Sequence, residues 1–205
     1  MNNNSWSGPQ GWSRTVKTLH WLLALAILFE VPAGLLMSFT YGPSFREPQI
    51  LKLHILASQI HHTVGFLVLA SAVIWITTKL RTQRPPLPNA MATYERALAY
   101  AAHGCLLLLL VLIPWSGWTA LSALEDSKQY GVTHMWFFGT DRMLPRIWHP
   151  LPAIDPQGYG LFAKLHRWFL ITGGCIVAVH VASALWHHLA RRDSVLRRMW
   201  PLGSA

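Results

Sequence analysis

Residues 165–189 read LHRWFLITGGCIVAVHVASALWHHL, an apolar stretch in which Arg167 is the one residue of the Lys, Arg, Asp and Glu types. A helix needs about 20 residues to cross the roughly 30 Å of hydrocarbon in a bilayer, so this stretch predicts a transmembrane helix. His166 and His180 lie 14 residues apart within it. At about 100° per residue they fall within about 40° of each other, and about 21 Å apart along the axis. The spacing predicts two imidazoles on one helix face at two depths of the membrane.

Three more apolar stretches precede this one, which predicts an all-α integral membrane bundle of four helices. The chain is 52% hydrophobic and 12% charged, whereas an ordinary soluble domain is about 25% charged. We expect a disordered tail over 1–11, a membrane domain over 12–199 and a short C-terminal tail over 200–205. The predicted spans are about 18–39, 55–78, 97–121 and 165–189.

The net charge of +9 is distributed as in a membrane protein, because the long apolar stretches favour lipid over nucleic acid as the partner. Lys and Arg are more numerous beside both termini and between the second and third spans than at the opposite side. This bias predicts that both termini are cytoplasmic. The outer loop, 122–164, is rich in Pro, Gly and aromatic residues, and we expect it to cap the bundle or dock a partner.

Eleven histidines are the unusual feature of this sequence. Histidine at bilayer depth is costly and usually faces the bundle interior. His20 starts the first span at the inner surface, and His61 and His62 start the second at the outer surface. Depth therefore pairs His20 with His180 and His61 with His166. Two imidazoles facing each other across a bundle suit a b-type haem whose iron has no open position, which favours electron transfer.

Other interpretations of these histidines remain. A single membrane histidine is more often an interhelical hydrogen-bonding group than a ligand, but four at matched depths favour ligation. Zinc or copper would need three or four ligands at one depth, as a haem-free metal transporter would have. The distance in residues to the nearest basic side chain indicates the depth of a histidine. His20 is 3 residues from Lys17, His187 is 4 residues from Arg191, and His180 is 11 residues from Arg191. His187 therefore matches the depth of His20 better than His180 does and remains an alternative inner ligand.

Covalent c-type haem is excluded, since Cys105 and Cys175 form no C-x-x-C-H motif. Small residues near the histidines would let a flat macrocycle approach the helix backbones. They are Gly65, Gly173, Gly174, Ala182 and Ser183.

The sequence over about 12–199 resembles the bacterial cytochrome b561 family, which is related to the haem subunits of formate dehydrogenase and nickel-iron hydrogenase. The matching motifs are LHW at 19–21, HHTVG at 61–65, AH at 102–103, IPWSGW at 113–118, LH at 165–166, VHVASALWHH at 179–188 and RDSVLRRM at 192–199. The resemblance implies two b haems in the bacterial inner membrane, with axial ligands on His20, His61, His166 and His180. The family pattern has a histidine four residues before a glycine, which selects His61 over His62, and its spacing favours His180 over His187.

Other residues would have accessory roles. His103 matches a family position that is not usually an axial ligand, and it would contact a haem propionate or a quinone, or simply bond between helices. Arg14, Lys17, Arg191 and Arg192 would pair with propionates of the inner haem, and Lys164 and Arg167 with those of the outer one, or these residues would be ordinary interface anchors. Glu30 has no clear counterpart in the family; it is either a proton-transfer group or a hydrogen-bonded carboxyl near the outer helix end.

Two functions are expected. The first is a haem-dependent quinone oxidoreductase, in which electrons pass between an outer donor such as superoxide and a quinone. The second is a non-catalytic relay or anchor subunit of a periplasmic dehydrogenase or cytochrome. The expected partners are membrane lipid, a quinone, a periplasmic redox protein and a second copy of the chain.

Overall fold

Four long helices make up the structure, a computed structural model that describes residues 11–82, 85, 91–123 and 156–200. They are α1 Arg14–Ser44, α2 Pro48–Arg81, α3 Thr93–Ser122 and α4 Pro156–Leu189. A short 3-10 helix, Arg197–Met199, follows α4. The N-terminal tail except residue 11, the C-terminal tail from 201 onward and most of the outer loop, 124–155, lie outside the described residues.

All four helices are long and apolar enough to cross a membrane, which confirms the all-α membrane bundle. They contain 30 to 34 residues each, or about 45–51 Å at 1.5 Å per residue. Each helix extends beyond its predicted span because the backbone stays helical through the interface, where polar residues determine the ends. Ser13, for example, caps α1 by accepting a hydrogen bond from the Val16 amide at 3.4 Å.

The helices pack as two antiparallel hairpins. α1 packs along α2 and α3 along α4, while α2 and α3 touch over a shorter stretch. Within the described ranges, the backbones of α1 and α4 are not among those that pack closely along each other. Val16, Leu23, Val68 and Trp75 form a small buried cluster between α1 and α2.

Large apolar side chains cover the outside of the bundle. Leu28 is 72% exposed, Phe39 75% and Val179 65%. Such a surface would be unfavourable in water, but it is the surface that lipid chains require. The protein is thus a multi-pass membrane protein whose exposed faces contact lipid.

The chain reverses direction after α4. Arg192 has a φ of 53°, a left-handed conformation that turns the backbone back toward α1. The Trp21 indole N–H then donates a hydrogen bond to the Met199 carbonyl at 2.8 Å, and the Trp21 and Trp200 rings lie 5.9 Å apart. Residues 193–200, here called the C-terminal latch, therefore lie against the start of α1.

Candidate functional site

Two histidine pairs cross from one helix hairpin to the other. The rings of His20 on α1 and His180 on α4 have their centres 6.4 Å apart, with an angle of 57° between their planes. The rings of His61 on α2 and His166 on α4 are 6.1 Å apart at 84°. Because α4 contributes to both, the pairs lie at two levels separated by about 21 Å along that helix.

The separation within each pair suits two ligands of one metal ion. Two imidazole nitrogens at about 2 Å on opposite sides of an ion bring their ring centres to about 6 Å. His20 Nδ1 is buried and has no hydrogen-bond partner among the described residues. No group of three or more His, Cys, Asp or Glu side chains in the described ranges forms a metal-ion cluster. The histidines thus meet in pairs, which fits the geometry of an iron porphyrin.

His166 contacts the part of α3 around Pro114. Its Nδ1–H donates to the Ile113 carbonyl at 2.8 Å, and the same nitrogen lies 3.4 Å from the Ser116 hydroxyl. The ring also rests on Gly117, where an added Cβ would lie 3.0 Å from His166 Cε1. The IPWSG motif therefore provides both an acceptor that fixes the ring tautomer and the space that the ring occupies.

His61 lies beside an acidic side chain. Its Nδ1 is 2.9 Å from Glu30 Oε1 on α1. The approach falls short of hydrogen-bond geometry, and neither Nδ1 nor the two carboxylate oxygens has another hydrogen-bond partner among the described residues. The neighbouring His62 ring is 5.8 Å from that of His61, but His61 is the one that meets His166.

His103 is a third histidine at the inner level. Its ring lies 5.2 Å from that of His180, and its Nδ1–H donates to the Ala99 carbonyl. The His20 ring also lies 6.4 Å from Trp75, an aromatic residue on α2 that sequence reasoning missed.

Lys79 completes this level and was also missed. Its ammonium lies 4.7 Å from the Trp75 ring centre and 5.2 Å from that of Trp12, a cation–π arrangement. In the sequence Lys79 is only one of the basic residues between the second and third spans, because nothing in the linear pattern indicates that it faces Trp75.

Four of the other basic candidates lie in the N-terminal parts of α1 and α4. Arg14 is exposed at the start of α1, and Lys164 and Arg167 are exposed on either side of His166 on α4. Lys17 is only 1% exposed, and its Nζ lies 3.8 Å from where a Cβ of Gly11 would be. Their pairing with propionates stays a prediction.

His187, the alternative inner residue, is engaged elsewhere. It is 7% exposed, and its Nδ1–H donates to the Asp193 carboxylate of the C-terminal latch. His54, at the outer end, likewise has ordinary partners: its Nδ1 lies 3.1 Å from both the Met37 carbonyl and the Thr40 hydroxyl. Of the inner candidates on α4, His180 is the one beside His20.

Comparisons with known proteins show the family of this chain. The family model described as "Prokaryotic cytochrome b561" matches residues 11–202. "Cytochrome b561 homolog 2" of Escherichia coli (strain K12) is 28% identical over 196 residues, covering 93% of this chain and 92% of that protein. "Probable superoxide oxidase CybB" of Yersinia pestis is 23% identical over 187 residues, covering 89% and 92%.

Proposed function

Because the chain belongs to the prokaryotic cytochrome b561 family and is therefore a haem-b electron-transfer protein of the bacterial inner membrane, we propose that it holds two haems and carries electrons across the bilayer. The observation that supports this most directly is the pair of histidine contacts at two levels of one bundle. In this proposal His20 and His180 are the inner axial ligands, and His61 and His166 the outer ones.

The side chains around each pair have definite tasks. The bound haem supplies one-electron chemistry, and two histidine ligands leave its iron no open position for oxygen. The Ile113 carbonyl fixes the His166 tautomer, so that Nε2 is free to bind metal. Trp75 lines the inner level beside His20.

The proposed reaction is oxidation of a small donor on the outer side and reduction of a quinone on the inner side. The exposed Lys164 and Arg167 flank His166 and would attract an anion such as superoxide. The name of the Yersinia pestis relative, a probable superoxide oxidase, supports the same donor. His103 and Lys79 at the inner level would bind the quinone or a propionate.

A relay or anchor subunit without its own substrate is the second candidate. It is favoured by the length of the segment 124–155 between α3 and α4, which could dock a periplasmic redox protein. Superoxide and a ubiquinone analogue offered to the purified chain separate the two functions. Quinone reduction without a partner supports the oxidoreductase, whereas inert but redox-active haems support the relay.

The ligand assignment is tested by counting haems in alanine variants. The wild-type chain should contain two b haems, measured by a reduced-minus-oxidised spectrum and a pyridine haemochrome assay. His61→Ala and His166→Ala should each remove the same outer haem, and His20→Ala and His180→Ala the inner one.

His54→Ala and His187→Ala are the matched controls, since both histidines are buried and hydrogen-bonded outside the two pairs. Both should keep two haems. Loss of one common haem from His20→Ala and His61→Ala would show that the pairing is wrong.

A further inference from the structure

Glu30 is a carboxylate in the interior of a membrane-spanning helix. It lies in α1, which contains no other acidic residue, and its side chain is 14% exposed beside a His61 side chain that is 16% exposed. A carboxylate at this depth is costly and usually has a function. Glu30 Oε1 and His61 Nδ1 lie 2.9 Å apart, and neither these two atoms nor Glu30 Oε2 has a hydrogen-bond partner among the described residues.

Two glycines make this approach between α1 and α2 possible. A Cβ at Gly34, one turn after Glu30, would lie 2.9 Å from His61 Cε1. A Cβ at Gly65, one turn after His61, would lie 3.0 Å from Glu30 Oε1. Each helix thus provides a polar side chain and, four residues later, a gap for the side chain of the other helix. The contact is built from both helices.

A carboxylate beside the non-ligating ring nitrogen of a ligating histidine changes the redox properties of the metal that the histidine binds. It orients the ring and raises the basicity of the imidazole, which stabilises the oxidised metal. The hydrogen-bond partner of an axial ligand and the local charge are among the means by which a protein sets a haem potential. Glu30 has this relation to His61.

His166 and His20, which belong to the same two pairs, have different surroundings. The corresponding nitrogen of His166 donates to a neutral carbonyl, that of Ile113. His20 Nδ1 has no hydrogen-bond partner among the described residues. Glu30 therefore distinguishes the outer level from the inner one.

We propose that Glu30 lowers the reduction potential of the outer haem by placing its carboxylate beside His61 Nδ1, which favours electron flow from the outer haem to the inner one. This rests on the proposed function, because it takes His61 as an axial ligand. Glu30 is a positioning and tuning residue here, since it acts on the haem through His61.

The test is redox potentiometry of the purified, haem-loaded Glu30→Gln variant, with the visible spectrum as the readout. The variant should keep two haems, and the equilibrium constant for reduction of one haem should rise about tenfold. For a one-electron couple a tenfold change is about 59 mV. The second haem should keep its potential. Glu30→Asp, which retains the charge, should lie between the wild type and Glu30→Gln.

Glu47→Gln is the matched control. It makes the same chemical change at the start of α2, where Glu47 is exposed and its side chain makes no capping hydrogen bond. Neither haem potential should change in this variant. Equal shifts in Glu47→Gln and Glu30→Gln would overturn the proposal, because they would show a general effect of net charge.

Two further measurements keep the outcomes distinct. The His20→Ala background retains only the outer haem, so the shift caused by Glu30→Gln should appear there as a single component. Gly65→Ala displaces Glu30 Oε1 without removing its charge, and it should raise the same potential even if Glu30→Gln loses haem.

Unchanged potentials in all these variants would refute the role of Glu30, while haem loss from His61→Ala would still support the proposed function. Retention of both haems by His61→Ala would overturn the ligand assignment itself.

Discussion

Two glycines open the space that the outer histidine pair occupies. Gly34 faces the His61 ring and Gly117 faces the His166 ring, with added Cβ atoms at 2.9 and 3.0 Å respectively. Among the small residues singled out from the sequence, Gly65 instead faces Glu30, and Gly174 has no neighbour within 4 Å of an added Cβ. At the residue scale, the outer histidine pair has room because Gly34 and Gly117 each lie opposite a histidine on another helix.

We expect Gly117→Ala to weaken the outer haem site. Its methyl group meets the His166 ring at 3.0 Å and would move that ring away from His61, since a contact this tight must relax. The measurements are haem content per chain and the thermal midpoint of the loaded protein, and both should fall.

Gly104→Ala is the control for that substitution. Gly104 is also inside α3, but an added Cβ has no neighbour within 4 Å. Alanine there should keep both haems and stabilise the helix by about 0.5–1 kcal/mol. Equal haem loss in both variants would contradict the role given to Gly117.

Arg191 and the C-terminal latch together connect three helices at the inner end. Asp193 binds His187 on α4, and Trp21 on α1 binds the Met199 carbonyl. Just before the latch, the Arg191 guanidinium contacts both carboxylate oxygens of Glu95 on α3. At the scale of the element, a segment that the sequence suggested only as a family signature connects α1 with the end of α4.

We expect Asp193→Asn to release the latch. Burial of the Asp193 carboxyl acts to raise its pKa, but the Val195 amide and His187 outweigh it and hold the pKa below the ordinary 3.8. The stabilisation is therefore fully present above pH 3.8 and is lost as the pH falls through the lower, folded-state pKa. The latch of the Asp193→Asn variant should be released even at neutral pH. Trypsin should therefore cleave the variant at Arg197 and Arg198 faster than it cleaves the wild type at the same pH.

A fluorophore at the C-terminus checks the pH dependence. Its anisotropy in the wild type should stay constant from pH 8 to pH 5 and fall below pH 3.8, the ordinary value for Asp193. Asp193→Asn should have low anisotropy throughout. A transition centred above pH 5 would assign the titration to another group.

The whole molecule consists of two hairpins with two histidine pairs between them. An even number of spans places both termini on one side of the membrane, and the basic residues at the ends of α1 and α4 predict that this side is the cytoplasm. In the proposed function, one haem would lie between the two histidines of each pair and would join the first hairpin to the second.

Reporter fusions test the orientation. A green fluorescent protein at the C-terminus should fluoresce, and alkaline phosphatase at the same position should be inactive. Phosphatase inserted within 124–155 should be active, because that segment joins α3 to α4 on the opposite side. The reverse pattern would invert the assignment of inner and outer levels without changing the histidine pairs.

Local properties of the sequence determined much of this protein. Apolar length alone identified four spans, and the 14-residue spacing of His166 and His180 indicated two levels on one helix, since both depend only on helical rise and rotation. His61 was preferred to His62 only through resemblance to a family, because adjacent residues on one helix have nearly the same depth.

Tertiary packing decided what depth could not. Counted from the nearest basic residue, His187 matched the depth of His20 better than His180 did. In the structure, however, His180 lies beside His20 and His187 contacts Asp193. The contact of Glu30 with His61 and the gaps at Gly34 and Gly117 are equally invisible in the sequence. They depend on the tilt and rotation of each helix, which are set by its neighbours and not by its own residues.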